Sequence, residues 1–239
     1  MGRKKLLRNL RHWYLKTRRP RRHRLHGVWL PTDPDYLPDD LIKAIYKGVY
    51  ENEEAALARR RLARGDRVLE LGGGVGLMGT IAAQACGSDN VITYEANPAL
   101  ERVIRRTHAL NGVAPTLRMR AIAPRAGAVT FHVNDNIVSS SLLDRNFGGA
   151  RTVEADALAD VLATFRPNVV ICDIEGAETA VFEDVDLSAV DRILIELHPK
   201  IVGAEPIAAL LRRFETQGLV VTEGQPDKAC YLERADRSG

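Results

Sequence analysis

One glycine loop and two acidic strand endings carry most of the chemistry legible in this sequence. Val68-Leu69-Glu70-Leu71 reads as a buried strand, and Gly72, Gly73, Gly74 and Gly76 turn it into the next helix. Glycines suit that turn because the backbone must bend tightly and approach a ligand closely, where a Cβ would obstruct. In an open parallel sheet the turn lies at the carboxyl edge, where ligands bind. The register Gly74-Val75-Gly76-Leu77-Met78-Gly79 satisfies the GxGxxG spacing of dinucleotide folds. In such folds the first glycine ends the strand directly, whereas this loop opens earlier, at Gly72. Glu70, two residues ahead of that glycine, fits instead a loop that wraps the methionine moiety of S-adenosylmethionine. The next strand, Val91-Ile92-Thr93-Tyr94-Glu95, ends in an acid that can accept hydrogen bonds from both hydroxyls of a ribose. That serves NAD and S-adenosylmethionine alike, so an NAD-dependent oxidoreductase stays open as the alternative.

The fourth main strand ends Val169-Val170-Ile171-Cys172-Asp173-Ile174-Glu175-Gly176-Ala177-Glu178, and the fifth Ile193-Leu194-Ile195-Glu196-Leu197-His198-Pro199. Both endings are expected at the same edge as the glycine loop. At these residues the chain resembles the FkbM family of methyltransferases. The resemblance runs from about Tyr50 to Pro199. Tyr50-Glu51, Glu54, Glu70-Leu71-Gly72, Glu95-Ala96-Asn97-Pro98, Asn111, Asp173 to Glu178 and Glu196 to Pro199 carry it. The commoner family loop opens with an Asp and an Ala-Asn pair, where this chain has Glu70 and Gly73-Gly74.

The resemblance implies a class I, S-adenosylmethionine-dependent O-methyltransferase acting on a hydroxyl of a sugar, glycan or secondary metabolite. It assigns Glu70, Gly72, Gly74, Gly76, Glu95 and Asn97 to the cofactor, and Asp173, Glu175 and His198 to the reaction centre. These residue types suit the reaction. An aliphatic hydroxyl is a poor nucleophile, so a base beside the oxygen helps as the methyl transfers in line from sulfur. His198 is a candidate base because its pKa lies near neutrality. Asp173 or Glu175 could act instead or orient His198, and the same acids could hold a divalent cation that lowers the hydroxyl pKa. Glu178 reads as a first-turn helix acid favoured by the dipole. Ser139-Ser140-Ser141, after Asn134-Asp135-Asn136, resembles the family's serine-rich segment and either lines the acceptor pocket or is a solvated loop. Methylation of nucleic-acid amines is disfavoured. Those enzymes usually place an Asn or Asp, two prolines and an aromatic after the fourth strand, and this chain has Asp173-Ile174-Glu175-Gly176.

Positioning these residues requires alternating strands and helices. Strands are expected at Arg67 to Leu71, Val91 to Glu95, Leu117 to Ile122, Ala128 to Val133, Asn168 to Ile174, Arg192 to Leu197, Leu219 to Thr222 and Ala229 to Glu233. Helices are expected at Gly76 to Ala85, Pro98 to Leu110, Asp156 to Phe165, Ala177 to Phe182 and Pro206 to Gln217. Before them come a helix from Asp39, capped by Asp39 or Asp40, and another at about Glu53 to Leu62. The alternation predicts an α/β fold, a doubly wound, mostly parallel seven-stranded sheet of Rossmann-like type with an N-terminal helical extension. Expected divisions are a basic extension at 1–26, a helical lead-in at 27–66 and the methyltransferase domain at 67–239.

The 239 residues suffice for one such domain with an appendage. No apolar run approaches the roughly 20 residues that span a bilayer. No h-region follows the basic start, so the expected location is cytoplasmic, peripheral at a membrane if the head binds one. Cys86, Cys172 and Cys230 form no CxxC pair and read as reduced core residues. The net charge of +3 hides an asymmetry: residues 1–32 hold 11 Lys and Arg and no acid. The rest holds 23 bases against 31 acids, a net of −8. In Met1 to Thr17, Leu6, Leu7, Leu10, Trp13 and Tyr14 recur at helical spacing among bases, and Arg18 to Arg24 reads as a linker. Residues 1–24 are therefore a candidate dock for an anionic membrane surface. A nucleic-acid arm, an organellar transit peptide and a disordered tail are the competing readings. A non-catalytic protein that binds surfaces through this head is the third functional class.

Overall fold

Uninterrupted apolar runs become the central strands. The computed structural model describes residues 17–133, 149–225 and 228–235. The first strands of the described residues form a hairpin, β1 (Arg22–Leu25) and β2 (Val28–Pro31), followed by α1 (Asp39–Lys47) and α2 (Asn52–Arg61). Next come β3 (Val68–Leu71), α3 (Leu77–Cys86), β4 (Val91–Tyr94), α4 (Glu101–Leu110) and β5 (Thr116–Arg118). Three strands follow, β6 (Ala121–Ala123), β7 (Gly127–Val133) and β8 (Gly149–Ala157). The rest is α5 (Leu158–Phe165), β9 (Val169–Cys172), α6 (Glu178–Val181), β10 (Arg192–Glu196), α7 (Pro199–Val202), α8 (Ala204–Thr216), β11 (Leu219–Gly224) and β12 (Ala229–Arg234).

Seven strands form one mixed sheet in the order β11-β12-β10-β9-β3-β4-β5. Five of them, β5, β4, β3, β9 and β10, run parallel, and β12 lies antiparallel between β10 and β11. β3 and β9 are buried along their whole length, as expected of strands covered on both faces. One face packs against the hairpin and α1 to α4 through Leu30, Ile45, Ala55, Leu77, Ile81 and Ile104. The other packs against α5, α6 and α8 through Leu158, Phe182, Leu210 and Phe214. From β3 the chain moves outward to β4 and β5, then returns to β9 on the opposite side of β3. The switch point, where α/β sheets bind ligands, therefore lies between β3 and β9. All three cysteines are buried, and none is in a disulfide.

Several expectations need correction. The single strand expected at Leu117 to Ile122 is two: a turn at Arg120 sends β6 out of the main sheet to pair with β8. Strand β8 was not foreseen, and the helix expected from Asp156 begins at Leu158. Alternating charged and small residues in Arg151 to Ala157 fit a half-exposed strand, not the apolar runs that mark the core. Arg22–Leu25 is a strand where a linker was expected. Its turn residues His26 and Gly27 both have positive φ (47° and 82°), the geometry of a tight hairpin. Helix α1 is preceded by Pro38 without a side-chain cap, and Asp39 and Asp40 sit in its first turn, where the dipole favours them. Short α7, which begins directly after His198, was also unforeseen. No helix among the described residues is long and apolar enough to cross a membrane. The amphipathic pattern before Thr17 and the segment Asn134 to Ser141 lie outside the described residues.

Candidate active site

The parallel strands end level with one another. Leu71 pairs with Tyr94 on one side and Cys172 on the other, and Cys172 pairs with Ile195. The next residues, Gly72, Glu95, Asp173 and Glu196, therefore line one edge. The ladder runs one step further, with the Gly72 N–H donating to the Tyr94 carbonyl and the Asp173 N–H to the Leu71 carbonyl, both at 2.9 Å. Gly72 has φ of +89°, and a Cβ there would collide with the Asp173 carbonyl oxygen. Only glycine lets β3 and β9 close on each other at the switch point.

Glu95 holds the loop in shape. It is buried, its Oε2 accepts the Gly74 N–H at 3.0 Å, and its Oε1 accepts the Asn97 N–H at 2.7 Å. Burial pushes its carboxyl up to about 7, against the pull of those amides. Each carboxylate oxygen has a second lone pair that a ribose hydroxyl can use. Asn97 accepts the Ala99 N–H at 3.1 Å, capping a single turn at Pro98–Leu100. Glu70 lies beneath the loop and is fully buried. Its Oε2 accepts the Thr93 hydroxyl, while Oε1 has no partner. A Cβ on Gly79 would collide with the same carboxylate, so α3 rests on Glu70, whose carboxyl burial pushes up to about 8. Gly76, with φ of +83°, is the residue before α3.

Above the loop, a Cβ on Gly74 would sit 2.9 Å from the Tyr50 hydroxyl and 3.3 Å from Glu51 Oε1. The bare backbone of Gly74 thus lies under a roof formed where α2 begins. Desolvation pushes the Glu51 carboxyl up to about 8, reinforced by Glu54 and Glu196.

His198, between β10 and α7, stands at the other end of the edge. Its Nδ1 lies 2.9 Å from Glu178 Oε1. Glu178 is fully buried, and the same oxygen accepts the Gly176 N–H at 3.0 Å. This pairing fixes the ring and leaves Nε2 3.7 Å from Asp173 Oδ1, 3.7 Å from Glu175 Oε2 and 4.0 Å from Glu196 Oε1. In the tautomer whose Nδ1–H donates to Glu178, the lone pair is on Nε2. Burial lowers the His198 pKa, but Glu178 and then Glu175 and Glu196 outweigh it, so the net shift is upward. Desolvation, then the charges of Glu196 and Glu175, push the Asp173 carboxyl well above the usual range. Glu196 is raised by desolvation and then by Glu54. Glu175 takes the left-handed conformation (φ 55°), followed by Gly176 at φ 101°, which turns the acids of this loop toward one edge. Donor atoms of Asp173, Glu196 and His198 all lie within 4.8 Å of one another, a spacing that could hold a divalent cation.

The structure therefore brings Asp173, Glu175 and His198 together at one end of the edge. It places Gly72, Gly74, Gly76, Glu95 and Asn97 at the other, with Glu70 under the loop. The sequence had carried Tyr50, Glu51 and Glu196 without assigning them a role, and had read Glu178 as a first-turn helix acid. Glu178 in particular anchors the imidazole as well as opening α6. The acidic run Asp173, Glu175 and Glu178 around a glycine turn was legible, but nothing in its spacing pairs Glu178 with His198.

Comparison with known proteins adds the following. A sequence model of the methyltransferase FkbM domain matches residues 78–217. No curated protein matches the chain. Among solved structures, the tRNA (uracil-54, C5)-methyltransferase of Pyrococcus abyssi, in complex with S-adenosyl-L-homocysteine, is similar at 15% identity and a TM-score of 0.48. The tRNA m1G37 methyltransferase of M. jannaschii is similar at 13% and 0.49. The precorrin-6y C5,15-methyltransferase of Geobacter metallireducens is similar at 13% and 0.48. These matches cover 89%, 90% and 77% of this chain. The chain spans 42% and 57% of the lengths of the two tRNA enzymes, and 88% of the third protein.

Proposed function

Because the chain belongs to the FkbM family of methyltransferases, we propose that it transfers a methyl group from S-adenosylmethionine to a hydroxyl oxygen of a sugar, glycan or secondary metabolite. The observation that carries this reading is the Glu178–His198 pair, with Nδ1 held at 2.9 Å and Nε2 turned toward the edge. A hydroxyl must lose its proton as its oxygen takes the methyl group, and an imidazole with a free Nε2 can receive that proton near neutral pH. S-adenosylmethionine supplies the electrophilic methyl. The bare backbone of Gly72 and Gly74, Glu95 with its spare lone pairs, and Asn97 beside it suit the nucleoside and its tail. The acids Glu51, Glu54, Asp173 and Glu196 are raised by burial and then by neighbouring acids, and a positively charged donor beside them would relieve that crowding. Asp173, Glu175 and Glu196 around Nε2 disfavour a phosphodiester at the reaction centre. Family membership sets aside the dinucleotide register of the loop, and with it hydride transfer.

The test compares untargeted mass spectra of cells that express the wild-type chain, the His198→Ala variant or neither. The expected result is a hydroxyl compound heavier by one methylene in the wild type only. Turnover of the purified variant should fall by about 10²–10⁴-fold, the usual contribution of a general base. An undiminished product in the variant would remove His198 from the mechanism.

A further inference from the structure

We infer that the outer face of the β1–β2 hairpin is a docking surface for an anionic lipid bilayer. Alternation along the hairpin sorts its side chains. Leu25, Val28 and Leu30 are buried, and His23 meets the Tyr46 ring edge-on at 5.4 Å between centroids. Arg22 and Arg24 are exposed on the other face, beside half-buried Trp29, the cross-strand partner of Arg24. The Arg22 and Arg24 guanidinium carbons lie 4.9 and 5.9 Å from the centroid of the Trp29 ring. Neither arginine forms an ion pair with an acid among the described residues.

The surroundings extend this charge. Arg59 donates to the carbonyl of the turn residue His26 at 2.8 Å. Helix α4, which packs against β2, adds exposed Arg102 and Arg106. The face belongs to residues 1–32, which hold 11 bases, Arg22 and Arg24 among them, and no acid, ahead of a remainder with net charge −8. A strong positive field on one side of an otherwise acidic molecule orients it toward a negative surface.

Lipid fits better than nucleic acid. Single-stranded nucleic acid binds basic grooves through bases stacked on exposed aromatic rings, and the Trp29 ring already carries two guanidiniums. An indole flanked by arginines instead suits the boundary between headgroups and acyl chains. The sequence ahead of the hairpin points the same way, with Leu6, Leu7, Leu10, Trp13 and Tyr14 at helical spacing among bases.

Sedimentation of the full chain with vesicles tests this. The wild type should bind phosphatidylcholine vesicles only when phosphatidylglycerol is included, and more weakly as salt rises. At about 1 kcal/mol per basic side chain, removing two charges should cost roughly 30-fold in affinity. Arg22→Gln with Arg24→Gln should show that loss, and Arg22→Glu with Arg24→Glu a larger one, with thermal melts checking that both fold. Arg212→Glu, in α8 on the opposite side of the sheet, should bind like the wild type. Failure of the wild type to bind anionic vesicles would overturn the inference. So would unchanged binding by the folded double variants, or a loss seen with RNA but not with vesicles.

Discussion

His198 owes its chemistry to a side chain that water does not reach. Glu178 is fully buried and holds Nδ1 at 2.9 Å, so the imidazole has one orientation and one free nitrogen. The pairing also favours the imidazolium, which sets the pH range in which His198 works as a base. Its pKa is raised above the ordinary 6.5, so turnover should fall as pH drops through that raised value. Glu178→Gln removes the negative charge that stabilises the imidazolium. The acidic limb of kcat should then move to lower pH while the plateau falls, because the ring loses its fixed orientation. A pH profile of the purified variant checks this, and a limb that stays in place would show that Glu178 does not tune His198.

At the scale of elements, two contacts position the edge. Gly72 and the Asp173 carbonyl meet just past the ends of β3 and β9, which sets the glycine loop beside the acidic loop. Asn111 ties the N-terminal hairpin to α4: its Oδ1 accepts the Trp29 N–H at 2.8 Å, and its Nδ2 donates to the Trp29 and Thr107 carbonyls at 2.8 and 2.7 Å. At about 1 kcal/mol net per hydrogen bond, Asn111→Ala should cost roughly 2–3 kcal/mol and lower Tm by about 5–10 °C, as calorimetry can measure. The strand endings were legible in the sequence because each is an apolar run closed by an acid or glycine. The role of Asn111 was not, since a polar residue after a helix ordinarily just ends it. Strand β8 and the β1 strand escaped for a related reason. Their charged alternation marks half-exposed strands whose partners lie far along the chain or across a two-residue turn, and apolar periodicity does not reveal such partners. The Glu178–His198 contact joins residues 20 apart that spacing alone could not pair.

At the scale of the whole molecule, charge is divided between a basic face and an acidic cleft. Glu70 and Glu51 titrate at about 8 and Glu95 at about 7 in the folded chain, all above an unfolded carboxyl. Between pH 6.5 and 8 the folded state therefore binds more protons than the unfolded state, and its stability falls as pH rises. His198, also raised, acts in the same direction, whereas buried His108, lowered to about 4, is neutral when folded but half protonated at pH 6.5 when unfolded, so it opposes them weakly at the lower end of that window. Thermal melts of the ligand-free chain should show Tm falling by several degrees from pH 6.5 to 8, and a flat or rising Tm would argue against buried, protonated acids at the cleft. The central claim is methyl transfer to oxygen, and the most direct test follows the methyl group itself. The purified chain is incubated with S-adenosylmethionine labelled in its methyl carbon and an extract containing the acceptor, and the product is examined by NMR. A labelled methyl with the chemical shift of an ether is the expected result. A label on nitrogen or carbon, or none transferred at all, would contradict it.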